Sequence, residues 1–305
     1  MVIKNFQELI TYQNDSKIKK KIALVAAADE HSLQALFQQR IKRIVSPILI
    51  GDETQIRSLL KKLQLTDSEV EIIHAASDQE AASRGVALVK QGLADGLMKG
   101  QIQTRDFLKP IVSREHGIVA DGLLNHMVLN EVPAYHKLLL TTDGGMIPEP
   151  SREEKIIITK QGIDLLKRLG YHKPKVALLA AVETVNSKIK SSVEAEDIKK
   201  YFQKNYSDLC QIDGPLSFDL AVSSKIAELK GYQSSVAGEA DLLVGPDVTA
   251  TNILGKSMIV FGKGKMAGVI YGGEVPIIMT SRASSSEEKY LSLLLASFLG
   301  KKAGD

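Results

Sequence analysis

Two layered α/β domains are expected from three features of this chain. Short apolar runs of β type alternate with amphipathic helical stretches along its length. Several runs are apolar throughout, as strands are when helices cover both faces of a largely parallel sheet. A glycine- and proline-rich break at 141–150 (Thr141-Thr142-Asp143-Gly144-Gly145 through Pro148 and Pro150) interrupts both periodicities near the middle, the natural place for a hinge.

Taken in order, strands are expected at 22–28, 47–50, 70–74, 96–98, 127–130 and 138–141. After the break they recur at 175–181, 209–213, 241–244, 267–270 and 275–280. Helices fill the gaps. Ile56, Leu59, Leu60 and Leu63 recur at helical spacing in 52–63, and Ile156, Ile157, Ile163 and Leu166 do so in 151–169. A last helix at 284–299 carries Leu291, Leu294, Leu295 and Phe298 on one face. No internal repeat or low-complexity tract occurs.

Composition narrows the function classes. The 305 residues hold 39 basic and 36 acidic side chains, a net charge of +3, with no Trp and 5% aromatics. Neither the concentrated basic face of a nucleic-acid binder nor a base-stacking platform is indicated. The basic run at 17–21 reads as a solvated approach to the first strand. The single Cys210 excludes an internal disulfide, fits a reducing compartment and reads as a buried structural thiol. With no signal-peptide pattern and no apolar run near the roughly 18 residues of a membrane span, a cytoplasmic protein without a membrane partner is expected. The six histidines lack ligand spacing, so no metal is expected. There is no P-loop and no G-x-S-x-G elbow. Gly262-Lys263-Gly264-Lys265-Met266-Ala267 has a dinucleotide-like spacing but precedes a strand, where the fingerprint must follow one.

Candidate chemistry gathers at strand ends, where parallel α/β sheets hold ligands. The strand at 275–280 runs into Thr280-Ser281-Arg282 and a helix that starts under Ser284, Ser285 and Ser286. Hydroxyls, a guanidinium and unpaired backbone N–H groups there suit a phosphate-like anion. Glu287 and Glu288 follow within the first turn, as a base beside the anion or as complement to the helix dipole. Lys99-Gly100 with Thr104 can hold a phosphate as a point charge. Asp213-Gly214-Pro215 and Gly245-Pro246-Asp247 read as tight turns with outward amides. Asn252 offers an amide just after a helix start.

These residues carry a resemblance. Asp213-Gly214-Pro215-Leu216-Ser217-Phe218-Asp219-Leu220-Ala221 resembles the D-G-P-L-x-x-D-x-A segment of the phosphate acyltransferases. Ala240-Asp241 through Pro246, Asn252 and Lys256 resembles their next motif, Thr280-Ser281-Arg282-Ala283 their closing one, and Met98-Lys99-Gly100 with Thr104 their M-K-G-x-x-x-T. The chain is similar to the phosphate acetyl/butyryltransferase family, more to its butyryl branch. Three positions depart from the pattern: Thr251 stands for a Gly, Asn125-His126 for Ser-His, and Val119 for an Arg.

The resemblance implies an isocitrate/isopropylmalate dehydrogenase-like fold of two α/β/α domains with an intervening cleft. The first domain would be 1–143 plus 273–305, including a returning C-terminal helix, and the second 144–272. It implies acyl exchange between acyl-CoA and inorganic phosphate to give acyl phosphate and CoA, with CoA a substrate, no cofactor, and a homodimer. Arg282 and Ser281 would grip the phosphoryl group or the leaving sulfur, with Glu288 or Glu287 as base. Lys99, Gly100, Thr104, Asp213, Gly214 and Pro215 would serve phosphate or substrate, and Pro246, Asp247, Asn252 and Lys256 would serve CoA. A phosphate acetyltransferase and a non-catalytic binder of CoA or acyl phosphate are the alternatives. A decarboxylating NAD(P) dehydrogenase would need an acidic metal cluster that the sequence does not display.

Overall fold

The computed structural model describes residues 2–15, 19–38, 41, 43–65, 70–280 and 284–300. Its elements open with α1 (Phe6–Asp15), β1 (Lys20–Val25), α2 (Glu30–Leu36), β2 (Val45–Gly51), α3 (Glu53–Lys62) and β3 (Glu71–His74). Next come α4 (Asp78–Lys90), β4 (Gly96–Lys99), α5 (Thr104–Ile111), β5 (Asn125–Glu131), β6 (Leu139–Thr142) and α6 (Arg152–Arg168). They are followed by β7 (Lys175–Leu179), α7 (Lys190–Asn205), β8 (Gln211–Leu216), α8 (Phe218–Val222), α9 (Ser224–Leu229) and β9 (Leu242–Val244). The last four are α10 (Val248–Val260), β10 (Lys265–Tyr271), β11 (Ile277–Ile278) and α11 (Ser286–Leu299).

Helix starts follow local chemistry. Asp52 caps α3 by accepting from Gln55 N–H, and Ser151 with Glu154 closes a reciprocal capping box on α6. Both helices therefore begin where the apolar periodicity places them.

The chain divides into two compact units, one of Gln7–Leu124 with Ala267–Asp305, the other of Met1–Phe6 with Asn125–Met266. These limits differ from the expected 143/144 and 272/273 boundaries, and strand pairing explains why. β5 pairs antiparallel with β6, and β6 pairs parallel with β9, so the 125–142 stretch shares hydrogen bonds with later strands. The glycine-rich break at 141–150 consequently lies inside the second unit.

In the first unit, strands run β3-β2-β1-β4-β11 in parallel, with β10 antiparallel to β11. Ile22 to Val25 of β1 are fully buried, as a central strand covered on both faces must be. β1 ends sooner than expected because Ala26 takes φ 54°, which turns the chain out of the sheet. The last helix is anchored here: Ser292 Oγ accepts from Gly268 N–H at 3.0 Å, and the Ser297 hydroxyl donates to the Ile44 carbonyl at 3.3 Å.

In the second unit the order is β5-β6-β9-β7-β8, parallel except for β5. The first residues join it: Ile3 N–H donates to Leu169 O at 2.9 Å, and Leu138 N–H to Lys4 O at 2.9 Å. Cys210, just before β8, is buried, and burial pushes its thiol up to about 11. The Asp213-Gly214-Pro215 stretch is not a turn. It lies within β8, which continues to Leu216 across a register shift between Ala177 and Leu179 of β7.

Candidate active site

In the first unit, Lys99 closes β4 and is half-buried, its ammonium 3.4 Å from the Gly100 carbonyl. Gly100 crosses β1 so closely that a Cβ there would lie 2.3 Å from Ala26 O and 2.7 Å from Val25 O. Those carbonyls accept from Gln101 and Gly100 N–H groups at 3.0 and 2.8 Å, locking the two strand ends together. Thr104 is exposed at the start of α5, where the N-cap residue Gln103 makes no side-chain cap. Because Ile278 pairs with Met98, Met279 and Thr280 leave the sheet beside Lys99 and Gly100. Ser281 and Arg282, which come next, lie outside the described residues.

The carboxylates of α11 have defined partners. Ser285 Oγ accepts from Glu288 N–H at 3.1 Å, and the Ser284 hydroxyl donates to Glu288 Oε1 at 2.5 Å. Burial raises the Glu288 carboxyl above the usual range, opposed by that hydroxyl and by the charge of Lys289. Glu287 sits half-buried in the same turn.

In the second unit, Asp213 turns to structural partners: its own neighbour's N–H (Gly214) at 2.8 Å, the Tyr232 hydroxyl at 3.3 Å and the Lys199 ammonium at 3.6 Å. Gly214 and Pro215 are buried and joined by a cis bond. Asp247 caps α10 by accepting from Ala250 N–H at 2.8 Å. Asn252 donates to the Gly144 carbonyl at 2.8 Å, and Lys256 is exposed further along α10. Thr251 is buried, its hydroxyl donating to Asp247 O at 2.7 Å. It sits so tightly under Gly245 that a Cβ on that glycine would lie 1.7 Å from Thr251 Oγ1. Gly245→Ala should therefore displace the start of α10. The expected result is a loss of about 1–3 kcal/mol in a denaturant titration, together with weakened ligand binding.

A cavity of about 980 Å³ opens within this unit, at the ends of β7 and β9. Pro246 and Asp247 line it, whereas Asp213, Gly214, Pro215, Asn252 and Lys256 do not. Its walls are largely apolar, with Leu179, Ala181, Phe218, Ile253 and Leu254. Four charged side chains that sequence reasoning missed also line it: Glu149, Lys155, Lys190 and Glu194. Lys155 and Glu194 pair at 2.5 Å with side chains only 7% and 16% exposed, and Lys190 stands 3.5 Å from Glu194. Lys155 lies among α6 residues whose spacing places polar groups outward, so nothing local marked it.

Asn125 spends its amide inside the unit, bonded to Gln161 and, at 3.1 Å, to the Thr142 hydroxyl. Val119 bridges to Gly273 in the first unit. Among the described residues, no group of three or more His, Cys, Asp or Glu side chains is placed to hold a metal. No described helix is long and apolar enough to cross a membrane.

Two α/β units carry polar strand ends, and one of them holds a largely apolar cavity with charged groups of both signs at its wall. The chain belongs to the phosphate acetyl/butaryl transferase family, whose model matches residues 77–297. It is 34% identical to the phosphate butyryltransferase of Clostridium beijerinckii over 299 residues, 98% of this chain and 99% of that one. It is 35% identical to the phosphate acetyltransferase of Thermotoga maritima over 277 residues, 91% and 94% of the two chains. Among solved structures, a branched-chain phosphotransacylase from Enterococcus faecalis V583 superposes with a TM-score of 0.80 at 31% identity, covering 92% of this chain and 100% of that one. That likeness bears out the fold class expected from the sequence.

Proposed function

We propose that this protein transfers a short acyl group, butyryl or a branched relative, between CoA and inorganic phosphate. The observation that carries this reading is the cavity of about 980 Å³ beside Pro246 and Asp247. Its apolar walls suit the pantetheine arm and acyl chain, and the Lys155–Glu194–Lys190 cluster, with one positive charge left over, suits a phosphate of CoA. In the reaction a phosphate oxygen attacks the thioester carbon, the new C–O bond replaces the C–S bond, and the phosphate proton passes to the departing thiolate. No acyl-enzyme is needed, so Cys210 has no part in it. Arg282 and Ser281 are assigned to the phosphoryl group and the sulfur, with Lys99 at the neighbouring strand end. A likeness to the butyryltransferase over nearly the full length of both chains supports the longer acyl group.

A panel of acyl-CoA substrates, read by thiol release with phosphate present, tests the reading. Butyryl- and isobutyryl-CoA are expected to exceed acetyl-CoA in kcat/KM, by the ~1–3 kcal/mol that a methylene contributes in an apolar pocket. Acetyl-CoA in first place would transfer the assignment to the acetyl branch. Binding of CoA with no turnover for any acyl chain would make the protein a non-catalytic binder.

Two substitutions probe the chemistry. Arg282→Ala is expected to lower kcat/KM for phosphate by about 10²–10³-fold, as loss of one anion-stabilising donor does. Wild-type kinetics in that variant would remove Arg282 from the site. Glu288 as base works only when ionised. Since burial raises its carboxyl, the base form should appear, and kcat climb, at a pH above the ordinary carboxylate range. Glu288→Gln should abolish that limb of the kcat–pH profile; an unchanged limb would shift the role to Glu287.

A further inference from the structure

His126 is the second residue of β5, and the antiparallel register of β5 and β6 (Val128 opposite Thr141) sets it across from Asp143. β6 in turn pairs with β9, Thr142 opposite Val244. His126 thus stands at the carboxyl edge of the parallel strands, the edge from which Gly245, Pro246 and Asp247 lead into α10. The loop after β6 connects the two places. Asn252 of α10 holds Gly144, and the His126 ring packs on Gly145, where a Cβ would lie 2.9 Å from Nδ1.

Asp143 looks like a partner for this imidazole but is fully engaged elsewhere. Its Oδ1 accepts from the N–H groups of Gly145, Met146 and His126 at 2.8, 3.0 and 3.2 Å, and its Oδ2 from Ile147 at 2.9 Å. Nδ1 of His126 is left buried with no hydrogen-bond partner. A buried N–H without an acceptor is costly, so the ring proton belongs on Nε2. Burial also disfavours the imidazolium, outweighing the opposing charge of Asp143. The residue is therefore a neutral donor at a ligand edge. It is not a base awaiting a proton, and no carboxylate orients it as in a catalytic triad.

We propose that His126 is a catalytic residue of the acyl transfer, donating an Nε2–H hydrogen bond to the acyl carbonyl oxygen as negative charge develops there. A neutral donor suits this oxygen better than it suits phosphate, for which the chain has lysines and Arg282. The proposal rests on the acyltransferase reading above. It adds the oxyanion contact that a carbonyl substitution requires.

The test combines kinetics with spectroscopy. His126→Ala is expected to lose about 10²–10³-fold in kcat with little change in KM. His126→Gln, whose amide N–H reaches close to the Nε2 position, should recover most of that loss. The shape of the kcat–pH profile should be the same in both variants and the parent. In ¹⁵N-imidazole-labelled protein, His126 should show a protonated Nε2 and a bare Nδ1. Near-parental kcat in a folded Ala variant would overturn the proposal. So would a Gln variant as impaired as Ala, a shifted pH limb, or a protonated Nδ1. If the parent itself transfers no acyl group, the acyltransferase reading fails, and the oxyanion role falls with it. Parental turnover with an indifferent His126→Ala would sink the His126 assignment alone.

Discussion

Gly100→Ala is expected to cost about 3 kcal/mol or more, the upper range of overpacking a tight site plus the loss of backbone hydrogen bonds. The added methyl would meet the carbonyl oxygens of Ala26 and Val25 at 2.3 and 2.7 Å. Neither neighbour is the end of a pliable side chain. Both oxygens already accept hydrogen bonds from the Gly100–Gln101 segment, so relief means separating β1 from β4 where their ends meet. A urea titration of the variant should show a lower midpoint with an unchanged slope. Turnover should fall as well, because Lys99 rides on the displaced residue. A stability loss under about 1 kcal/mol would mean that the backbone yields more easily than the packing implies.

Glu194→Ala should be nearly as damaging, for an electrostatic reason. The carboxylate neutralises a Lys155 ammonium whose side chain is only 7% exposed, with Lys190 close by. Removing one member of a buried pair strands the other, a penalty of about 3–5 kcal/mol. Replacing both, as Lys155→Met with Glu194→Leu, should restore most of that stability while weakening affinity for CoA. If the double variant is no more stable than Glu194→Ala, the pair contributes through its shape and not through charge compensation.

Much of this architecture is legible along the chain because its causes are local. Ser151 with Glu154, Asp52 before α3 and Ser285 before α11 each place a helix start to within two residues. The apolar runs of β1, β2 and β7 mark strands buried on both faces. What escaped depends on partners distant in sequence. β8 continues through Gly214 and Pro215 because β7 lies alongside, and no local rule puts a proline inside a strand. The limits of the units follow the pairing of β6 with β9, about a hundred residues apart, and the glycine break lies inside the second unit. At the site, Pro246 and Asp247 were visible as a strand end and a cap. Lys155 was not, because a buried lysine on an amphipathic helix has the same spacing as a solvated one. In the sequence His126 stands out only as half of a motif. Its orphaned nitrogen exists because Asp143, opposite it on the strand ladder but well removed in sequence, is committed to backbone donors.

Cys210 has a practical consequence for every measurement above. With the chain's only sulfhydryl buried and its ionisation pushed up to about 11, almost no thiolate is present near neutral pH. A disulfide reagent that titrates liberated CoA should therefore see the product and not the catalyst. Once the second unit opens, the same sulfur becomes available at one equivalent per chain. A single colorimetric reagent then serves two purposes: it counts turnovers while the protein is folded, and it reports when a variant such as Glu194→Ala has begun to come apart.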